Sequence, residues 1–308
     1  MHALERLRQN IESVFFGRRE AVTHLLTGLI ARGHVLIEDV PGVGKTVLAR
    51  SLARSINCQF SRVQLTPDLL PSDILGVSVY DQVTKLFEFK PGPIFANIVL
   101  ADEINRTTPR TQSSLLEAMN EGSITVDGRT MPLPQPFMVV ATQNPFEFEG
   151  TYFLPENQLD RFLLRVQLGY PEREREVAIL RTQPGRYRLD HLDPVLSAGE
   201  VQALQGQAAQ VKLDDVLVAY LMDIVEATRK SAQLHTGISP RGSLALMQAS
   251  QAYALVAGRD FVTPDDIKAM VLPVCAHRVI TRNHLSNGDL STASRILEEI
   301  LGRTHSPV

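Results

Sequence analysis

The segment His34-Val-Leu-Ile-Glu-Asp-Val-Pro-Gly-Val-Gly-Lys-Thr46 is an apolar run that breaks into a glycine-rich turn, and a helical pattern follows from Val47 to Ser55. The backbone N–H groups of Gly42 to Thr46 would converge at the start of that helix, where its dipole helps them hold an anion. Lys45 would bring a point charge to β and γ phosphates, and the Thr46 hydroxyl would hold Mg²⁺. On this reading the nucleotide-binding set is Pro41, Gly42, Val43, Gly44, Lys45, Thr46 and Val47. The motif departs from its common form in one place, because Asp39 stands where a glycine opens the loop. That position does not touch phosphate, so Asp39 reads as a tolerated variant.

Further along, the buried strand signal Val99-Leu-Ala-Asp-Glu103 ends in two adjacent carboxylates. Parallel sheets place their chemistry at such strand ends. Asp102 would hold Mg²⁺ through water, together with Thr46, and Glu103 would take a proton from the attacking water. Asn144 ends the next apolar strand and would orient water or touch the γ phosphate. Arg161, in Leu159-Asp-Arg-Phe162, falls at the domain edge and would reach a neighbouring copy's nucleotide. Arg241, in Ser239-Pro-Arg-Gly242, opens a helix and would project toward the cleft between domains, letting the second domain sense the γ phosphate.

Positioning these groups requires strands alternating with helices. Strand patterns at Phe60–Leu65, Ile98–Ala101, Phe137–Ala141 and Leu163–Val166 join the one before the phosphate loop. Their near-continuous apolar character predicts a parallel sheet covered on both faces. Two hairpins interrupt it: Val77–Tyr80 with Lys85–Phe89 around Asp81-Gln82, and Gly122–Met131 with an Asp127-Gly128 turn. From about Pro171 strand signals fade and helical ones take over. These include Thr263-Pro-Asp-Asp266, a capping residue followed by proline at the first helical position. The expected architecture is α/β: residues 1–170 as the nucleotide-binding domain, and 171–308 as a linker and a small all-helical domain.

Composition narrows the function classes. The 308 residues carry 31 Lys and Arg against 34 Asp and Glu, so the net charge of −3 gives no global attraction to nucleic acid or anionic membrane. Cys58 and Cys275 lack metal or redox spacing and read as buried thiols in a reducing compartment. Neither a signal-peptide core nor a membrane-spanning run occurs, and a cytoplasmic location is expected.

Four segments carry a closer likeness: Glu38–Thr46, Pro91–Arg106, Ala141-Thr-Gln-Asn-Pro145 and Leu154-Pro-Glu-Asn-Gln-Leu-Asp-Arg-Phe162. Together they resemble the AAA+ ATPases, and the MoxR family in particular, over nearly the whole chain. The resemblance implies that Gly42 to Thr46 form the Walker A core, Asp102 and Glu103 the Walker B pair, Asn144 sensor 1, Arg161 the arginine finger and Arg241 sensor 2. It also sets Gly17 and Arg18, in Phe16-Gly17-Arg18, beside adenine, and makes the hairpins insertions shared with magnesium chelatase and the MCM helicases. ATP and Mg²⁺ are the implied cofactors. A ring of six, a protein client matured by metal or cofactor insertion, and a partner with a von Willebrand factor A domain are implied as well. A DNA motor like the MCM helicases is the alternative, and a slowly turning nucleotide-gated switch is a third reading. Against the motor stand the net charge and a second hairpin with Arg129 as its one cationic tip residue. The first hairpin offers Val79, Tyr80, Leu86, Phe87 and Phe89 as grips for a protein.

Overall fold

In the computed structural model, residues 2–144, 151–152, 154–182, 189–282 and 290–307 are described. In the N-terminal half the order is α1 (His2–Glu12), α2 (Arg19–Ile30), β1 (Val35–Glu38), α3 (Lys45–Ser55), β2 (Phe60–Gln64), α4 (Pro71–Leu75), β3 (Gly76–Tyr80), β4 (Phe87–Pro91), β5 (Ile98–Asp102), α5 (Pro109–Glu121), β6 (Ser123–Val126), β7 (Arg129–Pro132), β8 (Met138–Gln143), α6 (Glu156–Leu159) and β9 (Leu164–Val166). Five of these strands form one parallel sheet in the order β2-β5-β8-β1-β9. Every residue of β1 and β5 is buried, as strands sandwiched by helices require. Because all five strands run the same way, the phosphate loop after β1, Glu103 after β5 and Asn144 after β8 share one edge of the sheet.

Both hairpins form. In the second, Asp127 at φ 50° and Gly128 at φ 73° make the tight turn that pairs Val126 with Arg129. The first is longer than its sequence suggests, with Tyr80 pairing Phe87 and residues 81–86 looping between them. Asp81 organises that loop by accepting from the N–H groups of Val83 (2.7 Å) and Thr84 (3.3 Å), so the chain does not turn at Asp81-Gln82. Ser78 Oγ donates to Asp127 Oδ2 at 2.6 Å and joins the two hairpins. Val79, Tyr80, Leu86 and Phe87 are exposed, Phe87 by 70%. Phe89 instead turns inward and meets Phe95 edge-on at 5.8 Å.

The C-terminal half contains α7 (Arg173–Thr182), α8 (Ala198–Ala208), α9 (Asp215–Lys230), β10 (Leu234–Thr236), α10 (Pro240–Val256), α11 (Pro264–Cys275), β11 (Ile280–Thr281) and α12 (Leu290–Arg303). The expectation of an all-helical second domain is corrected by an antiparallel ribbon that pairs β10 with β11. Such short strands carry too few residues for a period-two pattern to show. The expected cap of α11 forms, with Thr263 N and Oγ1 donating to Asp266 Oδ2 at 2.7 and 2.8 Å.

These helices dock on the parallel-sheet layer through a shared apolar core. Leu25 and Leu29 of α2 belong to one buried cluster with Val201, Leu204, Leu246 and Ala249. Gln205 Nε2 donates to Leu29 O at 2.7 Å. At the sheet edge opposite the phosphate loop, the buried Arg278 guanidinium pairs with Asp160 (2.8 Å) and donates to Phe162 O (2.7 Å). Cys275 is buried as expected, and burial pushes its thiol up to about 12. Cys58 is only partly buried, because it lies just beyond the end of α3, next to a groove.

Candidate nucleotide site

The loop after β1 adopts the shape its glycines permit. Gly42 at φ 90° and Gly44 at φ 95° are left-handed, a conformation that side chains rarely tolerate, and α3 starts immediately after at Lys45. Lys45 Nζ donates to the Asp39 carbonyl at 2.5 Å. Burial lowers the Lys45 pKa, opposed by the negative charges of Asp39, Asp102, Glu103 and Glu38.

Opposite this loop stand the two acids. Asp102 is nearly buried, and both its carboxylate oxygens are engaged: Thr142 Oγ1 donates to Oδ1 at 3.0 Å, and Arg62 Nε donates to Oδ2 at 2.6 Å. Glu103 sits at φ 60°, ψ 54°, left-handed and not glycine. Its N–H donates to the same Thr142 hydroxyl at 2.9 Å. Its Oε2 accepts from Gln64 Nε2 (2.9 Å) and Arg106 Nη1 (3.2 Å). The cause is register: β2 pairs with β5 so that Gln64 lies opposite Asp102, and alternate residues of β2 face the acids.

A cavity of about 290 Å³ lies between these groups. Pro41, Gly42, Gly44, Lys45, Thr46 and Val47 line one side, and Asp102, Glu103, Thr142 and Asn144 the other, with Arg62 and Gln64 between. Val43 packs against the core. A groove of about 810 Å³ shares Thr46, Val47 and Arg62 with it and continues along α3 past Arg50 and Arg54. The loop's N–H donors and Lys45 suit an anion, while the Thr46 hydroxyl and the Asp102 carboxylate are the hard oxygen donors Mg²⁺ prefers.

Neither Gly17 nor Arg18 lines this cavity: Gly17 reaches the loop only through a neighbouring ring, and Arg18 borders a separate pocket of about 600 Å³ with Arg165, Gln167 and Lys268. One ring, Phe15, lies against the positions a Cβ would take on both Gly17 (2.2 Å) and Gly44 (3.2 Å). The Arg18 guanidinium lies over Gly169, a left-handed residue at φ 64°. Asp39 has a role its sequence context hid. Its Oδ2 accepts from the N–H groups of Leu168 (2.8 Å) and Gly169 (2.7 Å), clamping the chain that leaves the sheet for the second domain.

The two remaining arginines lie elsewhere. Arg161 Nη1 donates to Leu116 O at 2.7 Å, outside the cavity. Arg241 Nε lies 3.5 Å from Asp160 Oδ2, and its Nη2 donates to Asn120 Oδ1 at 3.1 Å. Arg241 thus reaches from the second domain onto the first, as expected of a residue facing the cleft between them, but it is not in the lining of the phosphate cavity. Docking through Arg278 holds the start of α10 at the opposite sheet edge, where Asp160 lies beside both arginines. Arg62, Gln64 and Thr142 are site residues that sequence reasoning assigned no role. Their one signal was the alternation of polar side chains at 62 and 64, on a strand next to the acids.

Comparison with known proteins agrees with this geometry. The family model described as "ATPase family associated with various cellular activities (AAA)" matches residues 34–164, and an AAA lid domain matches 226–300. The chain is 43% identical to the chaperone MoxR1 of Mycobacterium tuberculosis, over 91% of this chain and 76% of that one. It is 30% identical to protein MoxR of Paracoccus denitrificans, over 87% and 86%, and 49% identical to YeaC of Bacillus subtilis, over 97% and 93%. A crystal structure from Cytophaga hutchinsonii superposes with a TM-score of 0.89 at 34% identity, covering 100% of this chain and 96% of the other. A phosphate loop facing two strand-end acids, in a chain with these relatives, identifies an ATP hydrolase, and the chain belongs to the MoxR family of AAA+ ATPases.

Proposed function

We propose that the chain binds ATP with Mg²⁺ in this cavity and works as a ring of copies, six on family precedent, that uses hydrolysis to remodel or mature a protein client. Residues 1–170 form the nucleotide-binding domain, and 171–308 the linker and lid. Lys45 neutralises the β and γ phosphates, Thr46 and Asp102 hold the metal, the latter through water, and Asn144 orients the attacking water. The metal supplies charge stabilisation for the phosphoryl oxygens. Glu103 takes the proton of that water as its oxygen attacks the γ phosphorus, and the bond to the β-phosphate oxygen breaks.

The observation that carries the protein-client reading is the first hairpin. Val79, Tyr80, Leu86 and Phe87 are all exposed on it, and a soluble chain rarely leaves such an apolar cluster uncovered without a partner. Arg161 and Arg241, which both reach α5, at Leu116 O and Asn120 Oδ1, and lie away from their own cavity, are read as serving the nucleotide of an adjacent copy. A cytoplasmic location fits the lack, among the described residues, of any helix long and apolar enough to cross a membrane. A partner with a von Willebrand factor A domain remains part of the reading on family precedent, and nucleic acid does not.

The test uses Glu103→Gln, which keeps the side-chain shape but removes the base. It should bind ATP and Mg²⁺, assemble into rings and release phosphate at least about a hundredfold more slowly. Locked in this way, it should retain client proteins and show no salt-sensitive affinity for DNA. Submicromolar, salt-dependent DNA binding at low ionic strength would replace this reading with the DNA motor.

A further inference from the structure

We propose that Arg62 is a resident counter-ion of Asp102 that competes with Mg²⁺ for this carboxylate, and so sets the free-metal level at which the protein takes up a triphosphate. The inference rests on the Mg²⁺–ATP reading above and adds a residue to it. Asp102 is nearly buried and meets solvent only at the cavity, so water screens its charge poorly, and the ion pair at 2.6 Å from Arg62 Nε to Oδ2 offsets it. Lys45, the other cation of the cavity, is directed to the Asp39 carbonyl. Oδ1 accepts from Thr142 and Oδ2 from Arg62, so a metal-bound water that donates to Oδ2 shares that oxygen with the guanidinium and sits beside its positive charge.

The guanidinium is also able to leave. Arg62 sits on the edge strand β2 and is half-exposed, and it borders both the phosphate cavity and the adjoining groove. Its one further hydrogen bond is a long one, from Nη2 to Gln64 Oε1 at 3.4 Å. Mg²⁺ arriving with a triphosphate would take over the charge balance of Asp102 and let Arg62 swing toward the groove.

The experiment titrates free Mg²⁺ against binding of a fluorescent, non-hydrolysable ATP analogue to the full-length wild-type protein, Arg62→Ala and Arg62→Lys. The half-saturating Mg²⁺ concentration should fall roughly threefold or more in Arg62→Ala, as expected for loss of a half-exposed ion pair. Lysine keeps the charge without the directed Nε–H and should give a smaller fall. In EDTA, affinity for the same nucleotide should stay within about twofold of wild type in both variants. An unchanged or raised half-saturation in either variant would overturn the proposal. A metal-free affinity that drops about fivefold would also overturn it, and would make Arg62 a phosphate ligand instead. Thermal melts establish that each variant is folded, and Arg62→Lys carries the test if the alanine variant is not. A folded wild type that binds no Mg²⁺–nucleotide would defeat the ATP-site reading itself.

Discussion

Replacing Asp39 by glycine restores the common form of the phosphate loop, and we expect it to damage this protein. The carboxylate accepts from Leu168 N at 2.8 Å and Gly169 N at 2.7 Å, and caps its neighbour Val40 N at 2.8 Å. Hydrogen bonds to a charged group contribute about 1.5–3 kcal/mol each. For a half-buried residue whose partners can turn to water, the low end applies, so losing the two bonds to the departing chain costs ~2–3 kcal/mol locally. At 1.4 kcal/mol per tenfold, amide exchange at Leu168 and Gly169 should accelerate by roughly 30- to 150-fold. Nucleotide affinity should change little, because Lys45 is held by the backbone carbonyl of residue 39, which glycine retains. Asp39→Asn keeps one acceptor oxygen and should fall between. Hydrogen exchange read by mass spectrometry, with nucleotide titration on the same samples, separates the two effects. Exchange in Asp39→Gly within about threefold of wild type would refute the clamp, as would a collapse of ATP affinity with Leu168 and Gly169 still protected.

Lys45→Ala removes a cation that would make two charge-assisted hydrogen bonds to phosphate, and ATP affinity should fall at least about a hundredfold by calorimetry. Arg161→Ala should retain nucleotide yet lose turnover, and mixing the two variants should restore phosphate release at interfaces where each supplies what the other lacks. Mixed assemblies without restored activity would count against a finger in trans. Acid should destabilise the fold through His34, whose Nε2 donates to Met119 O while Nδ1 accepts from Val139 N. Burial holds its pKa down to about 4, whereas the unfolded chain takes up that proton near 6.5. This contribution is therefore complete above pH 6.5 and is lost as pH falls toward 4, amounting to ~2 kcal/mol at pH 5. Urea midpoints that do not decrease between pH 7 and pH 5 would contradict it. His277, also held low by burial, acts in the same direction.

The phosphate loop, the strand-end acids and the parallel sheet were legible because each is written locally, as an apolar run, a turn and a polar residue at a strand end. What escaped was set by partners distant in sequence. Asp39 is explained by amides at 168 and 169, and Arg62 and Gln64 by the β2–β5 register. The placement of Arg241 follows from the docking of Arg278 against Asp160, which no periodicity announces. The β10–β11 ribbon escaped for the opposite reason, since its strands are too short to make a pattern.

The left-handed backbone at Glu103 has a consequence for any effort to make this protein more robust. A charged, unbranched residue held at φ 60° carries a penalty on the order of 1–2 kcal/mol that glycine would escape. A screen that rewards melting temperature alone should therefore enrich glycine at position 103, and asparagine next. With Glu103 as the proposed base, the winners of such a screen would be sturdier proteins that hold ATP and do nothing with it. Position 103 thus marks where the interests of the fold and of the catalyst part, and only a screen that reads phosphate release would keep glutamate there.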